Sequence, residues 1–162
     1  MKALVVTCSN RAAAGVYEDT GGPVIVERLR SWGFEVLEPV VVPDGDPVAE
    51  ALREAVDLDF DLVLTTGGTG ISPTDATPEA TEPLLDRELP GVAEAIRRHG
   101  VDAGVPTAML SRGLAGVADR TIIVNLPGSV GGVRDGLDVL EPVIRHAVEQ
   151  VAGGDHAPGG GS

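Results

Sequence analysis

The residues with the clearest chemical potential lie in one stretch, 65–78, which reads TTGGTGISPTDATP. The mostly apolar run 61–64 precedes it and predicts a buried parallel strand that ends where the glycines begin. Gly67, Gly68 and Gly70 let backbone N–H groups approach a ligand without a Cβ in the way. Such a corner between a strand and a helix is typical of anion sites, and of phosphate sites above all.

This stretch matches neither of two common nucleotide-binding loops. It lacks the Gly-Lys-Ser/Thr end of a Walker A loop, and in a dinucleotide fingerprint starting at Gly68 the third glycine would fall on Pro73. A wide turn that simply needs flexible residues therefore remains an alternative explanation for the glycines.

Asp75 shifts the balance towards a functional site. The following helix has its own predicted N-cap, Thr77, with Pro78 in its first position, so the carboxylate of Asp75 has no obvious structural role. A free carboxylate beside a phosphate-type loop could hold Mg²⁺ or orient a nucleophile. Aspartate is also common in turns, which is the alternative role here.

Asp44 is a second carboxylate of this kind. It follows a predicted strand at 34–42, and the helix after it can be capped by Asp46 with Pro47 in its first position. On local grounds alone, a turn aspartate before Gly45 is the more common explanation.

A second glycine-bearing corner follows the apolar run 121–126. It reads NLPGSVGG over 125–132, and Ser129 is the predicted N-cap of a long helix at 130–151. The pair Ser111 and Arg112 lies between the two corners and is compatible with either a ligand or solvent.

The elements that must position these residues alternate between strands and helices. Other predicted strands lie at 3–8 and immediately before residue 65. Other helices are predicted at 19–31, 48–58, 78–86 and 92–100. The helix at 78–86 is expected to be short or kinked because it contains Pro83. This pattern predicts an α/β fold with a mostly parallel central sheet between helical layers. Ligands bind at the carboxyl ends of such strands, so both corners and both carboxylates are expected at one pocket suited to a phosphate-containing substrate and a divalent cation.

Composition limits the remaining possibilities. Aromatic residues make up 2% of a 162-residue chain that is 43% hydrophobic, which favours an aliphatic core. The length predicts one domain, at 1–152. A Gly/Pro-rich tail follows at 153–162, which contains His156 and is expected to be disordered. The net charge of −13 argues against nucleic-acid binding. Cys8 is expected to be a small buried residue. We expect no membrane span and no signal peptide, and hence a cytoplasmic protein.

Two blocks of the sequence resemble the signature blocks of the MoaB/Mog family of molybdenum cofactor biosynthesis, which includes a domain of gephyrin. They are residues 65–70 with 75–79, and residues 125–128, and the likeness extends from Ala3 to about Val151. The resemblance implies a three-layer α/β/α fold, usually a homotrimer, that binds molybdopterin. Active members transfer the adenylyl group of Mg-ATP to the terminal phosphate of molybdopterin, giving adenylyl-molybdopterin and pyrophosphate.

The resemblance also assigns site residues. The catalytic carboxylates, which would also hold Mg²⁺, fall on Asp44 and Asp75. The substrate-binding residues it implies are Thr66, Gly67, Gly68, Thr69, Gly70, Ser72, Ser111, Asn125, Pro127 and Gly128. The family often has Ser-Asp-Arg after the first strand, whereas this chain has Asn10 in the middle position, which puts a charge-specific role there in question.

Two other functions remain open on this sequence. One is a molybdopterin-binding or scaffolding protein of the same pathway without adenylyltransferase activity, and the other is a nucleotide-phosphate binder of an unrelated pathway. A metal-insertion protein of the pathway is a possible partner.

Overall fold

The computed structural model of the chain describes residues 1–154. Apart from Gly153 and Gly154, the predicted tail at 153–162, with His156, therefore lies outside the described residues. The strands are β1 (Lys2–Cys8), β2 (Glu35–Val36), β3 (Val40–Val42), β4 (Leu62–Thr66), β5 (Arg87–Glu88), β6 (Ala115–Ala118) and β7 (Thr121–Leu126). The α-helices are α1 (Asn10–Ala13), α2 (Gly21–Ser31), α3 (Asp46–Asp57), α4 (Thr77–Thr81), α5 (Pro90–Asp102), α6 (Val130–Leu140) and α7 (Ile144–Val151), and 3₁₀ turns lie at Glu82–Leu84 and Pro106–Leu110.

The strands form one sheet in the order β2-β1-β4-β7-β6-β5, with β3 also paired to β1. The pairs of β1 with β2, β3 and β4, and of β4 with β7, are parallel. From β1 the chain moves to one side for β2 and β3, then crosses to the other side for β4. The strand order therefore switches between β1 and β4, where a ligand crevice is expected at the carboxyl ends.

The sheet is covered by helices on both faces, as predicted. Leu62 and Leu64 of β4 pack with α2 and α6 in one apolar cluster, whereas Val63, between them, packs with α3 in the other. This alternation follows from the two-residue period of a strand. The mostly parallel three-layer α/β/α arrangement is confirmed.

The antiparallel edge of the sheet was not predicted. β6 runs antiparallel to β7 and β5 antiparallel to β6. Only Asp119 and Arg120 separate β6 from β7, a connection short enough for a hairpin but not for a parallel crossover. Asp119 takes a positive φ of 52° in this turn.

Prolines explain where other predicted elements break. The strand predicted at 34–42 is two short strands, β2 and β3, separated by a segment that contains Pro39, which has no N–H to donate to a ladder. The helix predicted at 130–151 is wrong in its continuity: it is split into α6 and α7 around Pro142. The kink predicted at Pro83 is confirmed, because α4 gives way to a 3₁₀ turn there.

The helix caps differ from expectation in two places. Thr77 and Asp46 are the first residues of α4 and α3 rather than their N-caps, which are Ala76 and Gly45, and neither helix has a cap bond from the side chain of its own N-cap. The loop predicted after β1 contains the short helix α1. The Ser129 cap is confirmed, since its Oγ accepts the N–H of Gly132 at 3.1 Å.

Cys8 is buried, with 3% of its surface exposed. Among residues 1–154, no helix combines the length and apolar character needed to cross a membrane.

Candidate active site

The two glycine-bearing corners are packed directly against each other. The hydroxyl of Thr66 donates to the carbonyl of Pro127 at 2.7 Å, and the N–H of Gly67 donates to the carbonyl of Leu126 at 3.2 Å. A Cβ on Gly128 would lie 3.3 Å from the Cα of Gly67, so Gly128 has little space for a side chain. The parallel pairing of β4 with β7 therefore continues into a contact between the loops that follow these strands.

Gly67 and Gly68 are required by both backbone conformation and space. Their φ angles are +93° and +67°, and a Cβ would overlap the carbonyl of Cys8 at Gly67 and the side chains of Asp44 and Thr77 at Gly68. Within residues 1–154, the N–H groups of Gly68, Thr69 and Gly70 have no hydrogen-bond acceptor. These donors are available to an anion, as the glycine pattern predicts.

Asp44 has a structural role that was not predicted from the sequence. Its Oδ2 accepts the N–H of Ala76 at 2.9 Å, and its Oδ1 accepts the hydroxyl of Thr77 at 2.8 Å and the N–H of Gly45 at 2.8 Å. The half-buried carboxylate after β3 thus caps α4, the helix whose own N-cap side chain makes no such bond. No local pattern around residue 44 could reveal a partner 32 positions away.

Asn10 positions Asp44. Its Oδ1 accepts the backbone N–H of Asp44 at 3.0 Å. This contact needs an oxygen acceptor but no negative charge, so asparagine can make it as well as the aspartate that the MoaB/Mog resemblance leads one to expect here. Its amide adds no further negative charge beside Asp44.

Asp75 also has a local role, the turn role that the sequence left open as the alternative. Its Oδ2 accepts the N–H of Ser72 at 3.0 Å, and its own N–H donates to the carbonyl of Ser72 at 3.0 Å, which closes a turn. The other carboxylate oxygen, Oδ1, makes no hydrogen bond within the described part of the chain. One oxygen is therefore used in the fold while the other is available at the site.

Arg112 holds the glycine loop in place. Its side-chain Nε donates to the carbonyl of Gly70 at 2.8 Å and its Nη2 to the carbonyl of Asp75 at 3.1 Å. Its backbone N–H donates to the carbonyl of Thr69 at 2.8 Å. It also forms an ion pair with Glu79. Hydrogen bonding between these two side chains raises the pKa of Arg112 and lowers the pKa of Glu79. The sequence left Arg112 undecided between ligand and solvent, because its acceptors lie about 40 residues away.

Asn125 forms a buried polar network behind the corner. Its Oδ1 accepts the N–H of Leu114 at 3.0 Å, and its Nδ2 donates to the hydroxyls of Thr65 at 3.0 Å and Thr81 at 3.1 Å. The residue is 3% exposed, so its visible role is to tie β7 to β4, α4 and the segment before β6.

Two pockets open at this edge of the sheet. The first, which we call the acidic pocket, has a volume of about 340 Å³ and lies at the carboxyl ends of β1 and β4, where the strand order switches. Its charged lining residues are Glu18, Asp19, Asp44, Asp75 and Arg11. The second, which we call the apolar pocket, has a volume of about 620 Å³ and lies against α5 and the 3₁₀ turn Pro106–Leu110. Its apolar lining includes Ile71, Ile96, Val105, Ala108 and Leu110.

The two pockets meet at Gly68, Asp75 and Gly128, which line both of them. Of the other predicted site residues, Thr66, Gly67 and Asp44 line the acidic pocket, and Thr69, Gly70, Ser111 and Pro127 line the apolar pocket. Ser72 and Asn125 line neither. Ser72 instead donates its N–H to Asp75, and Asn125 lies in the network behind the corner.

The acidic pocket has the donors that a magnesium ion requires. Mg²⁺ is bound in proteins by one or two carboxylates together with substrate phosphates and water. Asp44 and Asp75 both line this pocket, and Oδ1 of Asp75 remains available. The residues present therefore fit the ion that the family resemblance implies.

Residues outside the predicted set also line the acidic pocket. Arg11 and Tyr17 belong to the segment between β1 and α2, and both are exposed. The sequence signal that could have identified them is their position after the carboxyl end of β1, in the same stretch as Asn10.

Comparisons with known proteins agree with this geometry. A family model described as "Probable molybdopterin binding domain" matches residues 4–146. A molybdopterin adenylyltransferase from Helicobacter pylori is 39% identical over 153 residues, covering 92% of this chain and 86% of that protein. A gephyrin from Dictyostelium discoideum is 39% identical over 155 residues, but the chain spans only 21% of its length and the match covers 89% of this chain.

A solved structure shows the same relationship in three dimensions. The molybdopterin biosynthesis Mog protein from Mycobacterium ulcerans matches with a TM-score of 0.89 at 58% identity, covering 93% of this chain and 98% of that one. The resemblance read from the two signature blocks is thereby confirmed. The chain belongs to the MoaB/Mog family of molybdenum cofactor biosynthesis, whose domain model describes molybdopterin binding.

Proposed function

We propose that the chain is a molybdopterin adenylyltransferase. The observation that carries this proposal is that two pockets of different character share Gly68, Asp75 and Gly128. Two substrates bound in separate pockets would meet at these residues, as a group transfer between them requires. The name of the Helicobacter pylori relative supports the same reaction.

The character of each pocket suggests which substrate it takes. The apolar pocket, next to Ser111 and Pro127, suits the flat pterin ring system. Among the described residues, the lining of the acidic pocket has four carboxylates and one guanidinium. These carboxylates could bind a divalent cation, and the pocket would then suit ATP because the cation offsets the negative charge of the triphosphate. The terminal phosphate of molybdopterin would then reach the shared residues from one side and the α-phosphate of ATP from the other.

The proposed reaction is a single displacement at phosphorus. An oxygen of the molybdopterin phosphate bonds to the α-phosphorus of ATP, the bond from that phosphorus to the bridging oxygen of the β-phosphate breaks, and pyrophosphate leaves. The attacking phosphate is already ionised at neutral pH, so no strong general base is needed. The N–H groups of Gly68, Thr69 and Gly70 donate to phosphate oxygens, and Arg112 keeps those donors in position.

Asp44 and Asp75 would hold Mg²⁺, which when bound neutralises charge on the triphosphate. For Asp44 this role comes in addition to capping α4. Alignment of the two phosphates within one site can lower the barrier by about 7–11 kcal/mol.

The proposal is tested by incubating the purified protein with molybdopterin and Mg-ATP and following adenylyl-molybdopterin. We expect Mg²⁺-dependent product that is abolished in Asp75→Asn, with molybdopterin binding retained. The asparagine can still accept the N–H of Ser72, so loss of product reports the missing charge rather than a lost turn. Asp102→Asn is the matched control, because Asp102 is exposed, lies outside both pockets and makes no ion pair within residues 1–154.

The competing function is a binding or scaffolding protein without transferase activity. Both Asp44 and Asp75 line the acidic pocket, which favours the enzyme. Bound molybdopterin without any product would instead support the binding protein. Near-normal turnover in Asp75→Asn would remove this carboxylate from the mechanism.

The homotrimer, a docking metal-insertion protein and a cytoplasmic location are further proposals that rest on the family resemblance. Light scattering tests the first, with a mass three times that of the chain as the expected value. Co-purification with a metal-insertion protein at low ionic strength tests the second, because an acidic surface would be screened by salt. Cell fractionation tests the third.

A further inference from the structure

The segment between β1 and α2 folds back on itself at the rim of the acidic pocket. The carbonyl of Arg11 accepts the N–H groups of Val16 at 3.0 Å and Tyr17 at 3.3 Å. Gly15 makes the turn with a φ of +73°. Residues six positions apart, Arg11 and Tyr17, are thereby held next to each other, and both line the acidic pocket.

Tyr17 is unusual among the aromatic residues of this chain. It is the single tyrosine, and it is 61% exposed, whereas Trp32, Phe34 and Phe60 are buried. It is also the one aromatic residue among the described residues that line the acidic pocket. An exposed ring that adds nothing to the core is available to stack on a flat ligand.

Arg11 is unusual among the arginines near the site. Arg112 and Arg97 are bound to backbone carbonyls, Arg112 to Gly70 and Asp75, and Arg97 to Ser111 and Gly113. The side chain of Arg11 has no hydrogen bond and no ion pair within the described residues. It is also the one cationic residue among the described residues that line the acidic pocket. A planar guanidinium without a partner is well suited to bind phosphate oxygens.

We propose that Arg11 and Tyr17 recognise the nucleotide, with Tyr17 stacking on the purine base and Arg11 donating to the polyphosphate. This inference rests on the proposed function, which makes ATP a substrate, and it adds which residues select it. The N–H groups of Gly68 to Gly70, which have no acceptor within the described residues, would hold phosphate at the glycine corner. The base is therefore directed to the other part of the lining, where the tyrosine lies.

A spectroscopic test follows from the single tyrosine. Biosynthetic labelling with 3-fluorotyrosine introduces one ¹⁹F resonance, which reports on position 17 alone. We expect saturating Mg-ATP to shift this resonance and Mg-tripolyphosphate, which has no base, to leave it nearly unchanged. Equal shifts with both ligands would overturn the stacking role.

Calorimetry separates the two side chains. Tyr17→Ala should weaken Mg-ATP binding about tenfold, from the loss of one stacked base, and leave Mg-tripolyphosphate binding unchanged. Tyr17→Phe keeps the ring and should bind Mg-ATP as the wild type does. Arg11→Gln should weaken both ligands by similar factors. Arg120→Gln, at an exposed arginine outside both pockets, is the matched control and should change neither.

The outcomes distinguish this inference from the proposed function. Wild-type binding of Mg-ATP with no ¹⁹F shift and no effect of Tyr17→Ala would overturn the inference and leave the transferase proposal intact. No detectable Mg-ATP binding by the wild-type protein would overturn both. A ¹⁹F shift with molybdopterin and none with Mg-ATP would assign the tyrosine to the other substrate, contrary to the inference.

Discussion

The carboxylate of Asp44 accepts the backbone N–H of Ala76 at 2.9 Å, so a residue in the loop after β3 caps the helix that follows β4. The same carboxylate accepts the hydroxyl of Thr77 and lines the acidic pocket. The structural role and the proposed catalytic role therefore fall on one side chain, and substitutions at Asp44 must be chosen so that the two can be separated.

Asparagine and alanine at position 44 should separate them. Asp44→Ala removes the cap, and we expect the free energy of unfolding to fall by about 1–2 kcal/mol. Asp44→Asn keeps one oxygen for the N–H of Ala76, so the loss should be smaller. Both variants lack the charge and should lower the rate of adenylyl transfer by roughly 100-fold. Urea denaturation gives the first quantity and the transfer assay the second. Equal stability of the two variants would contradict the capping role.

Gly68 should not tolerate a side chain. Alanine there would combine a positive φ, which costs about 1–2 kcal/mol, with overlap of its Cβ with Asp44 and Thr77. We expect Gly68→Ala to lower the free energy of unfolding by at least this amount and to lose activity. Gly91→Ala is the control, because a Cβ at Gly91 meets no atom within 4 Å. Thermal denaturation of the two variants tests the prediction, and a Gly68→Ala melting temperature equal to the wild type would contradict it.

Arg112 should matter through the shape of its side chain as well as its charge. Lysine cannot reproduce donors from Nε and Nη2 to the carbonyls of Gly70 and Asp75 at the same time. We expect Arg112→Lys to lower kcat/KM about tenfold by loosening the glycine loop. Arg120→Lys, at an exposed site outside both pockets, should have no effect. Steady-state kinetics of both variants provides the measurement, and equal values would leave Arg112 without a positioning role.

Cys8 should make stability depend on alkaline pH. Burial raises the pKa of its thiol from 9.0 to about 12 in the folded protein. Between these two values only the unfolded chain loses the proton. The contribution of the thiol to the free energy of unfolding is therefore complete below pH 9 and is lost as pH rises towards 12. In this range Cys8 lowers the free energy of unfolding by up to about 1.4 kcal/mol per pH unit. The free energy of unfolding of the wild type and of Cys8→Ala, measured by denaturation across pH 8–11, isolates this effect. The same pH dependence in both proteins would contradict the prediction. The native thiol should also resist alkylation at pH 8.

Several features of the fold could be predicted because their causes are local. The glycine corner after β4, the Ser129 cap and the kink at Pro83 each depend on residues within a few positions of one another. The alternation of strands and helices could likewise be predicted from hydrophobic periods that extend over a few residues. The prediction did not use Pro142 as a helix breaker, and so it gave one helix where the structure has α6 and α7.

The arrangement of the site could not be predicted in the same way. Asp44 and Ala76 are 32 residues apart, and Arg112 and Gly70 are 42 apart, so no spacing rule links them. A turn role was left open for both Asp44 and Asp75, but the acceptance of the Ala76 N–H by Asp44 could not be predicted from neighbouring residues.

The sequence by itself determined that strands end in glycine-bearing corners beside carboxylates, because residue type and order decide local backbone conformation. It also carried the two blocks that identify the family. Only the tertiary structure decided that the acidic and apolar pockets share Gly68, Asp75 and Gly128. It also decided that the side chain of Arg11 lies beside Tyr17 with no partner among residues 1–154. These relationships arise from the order of strands in the sheet, which brings distant segments to one edge through long-range packing.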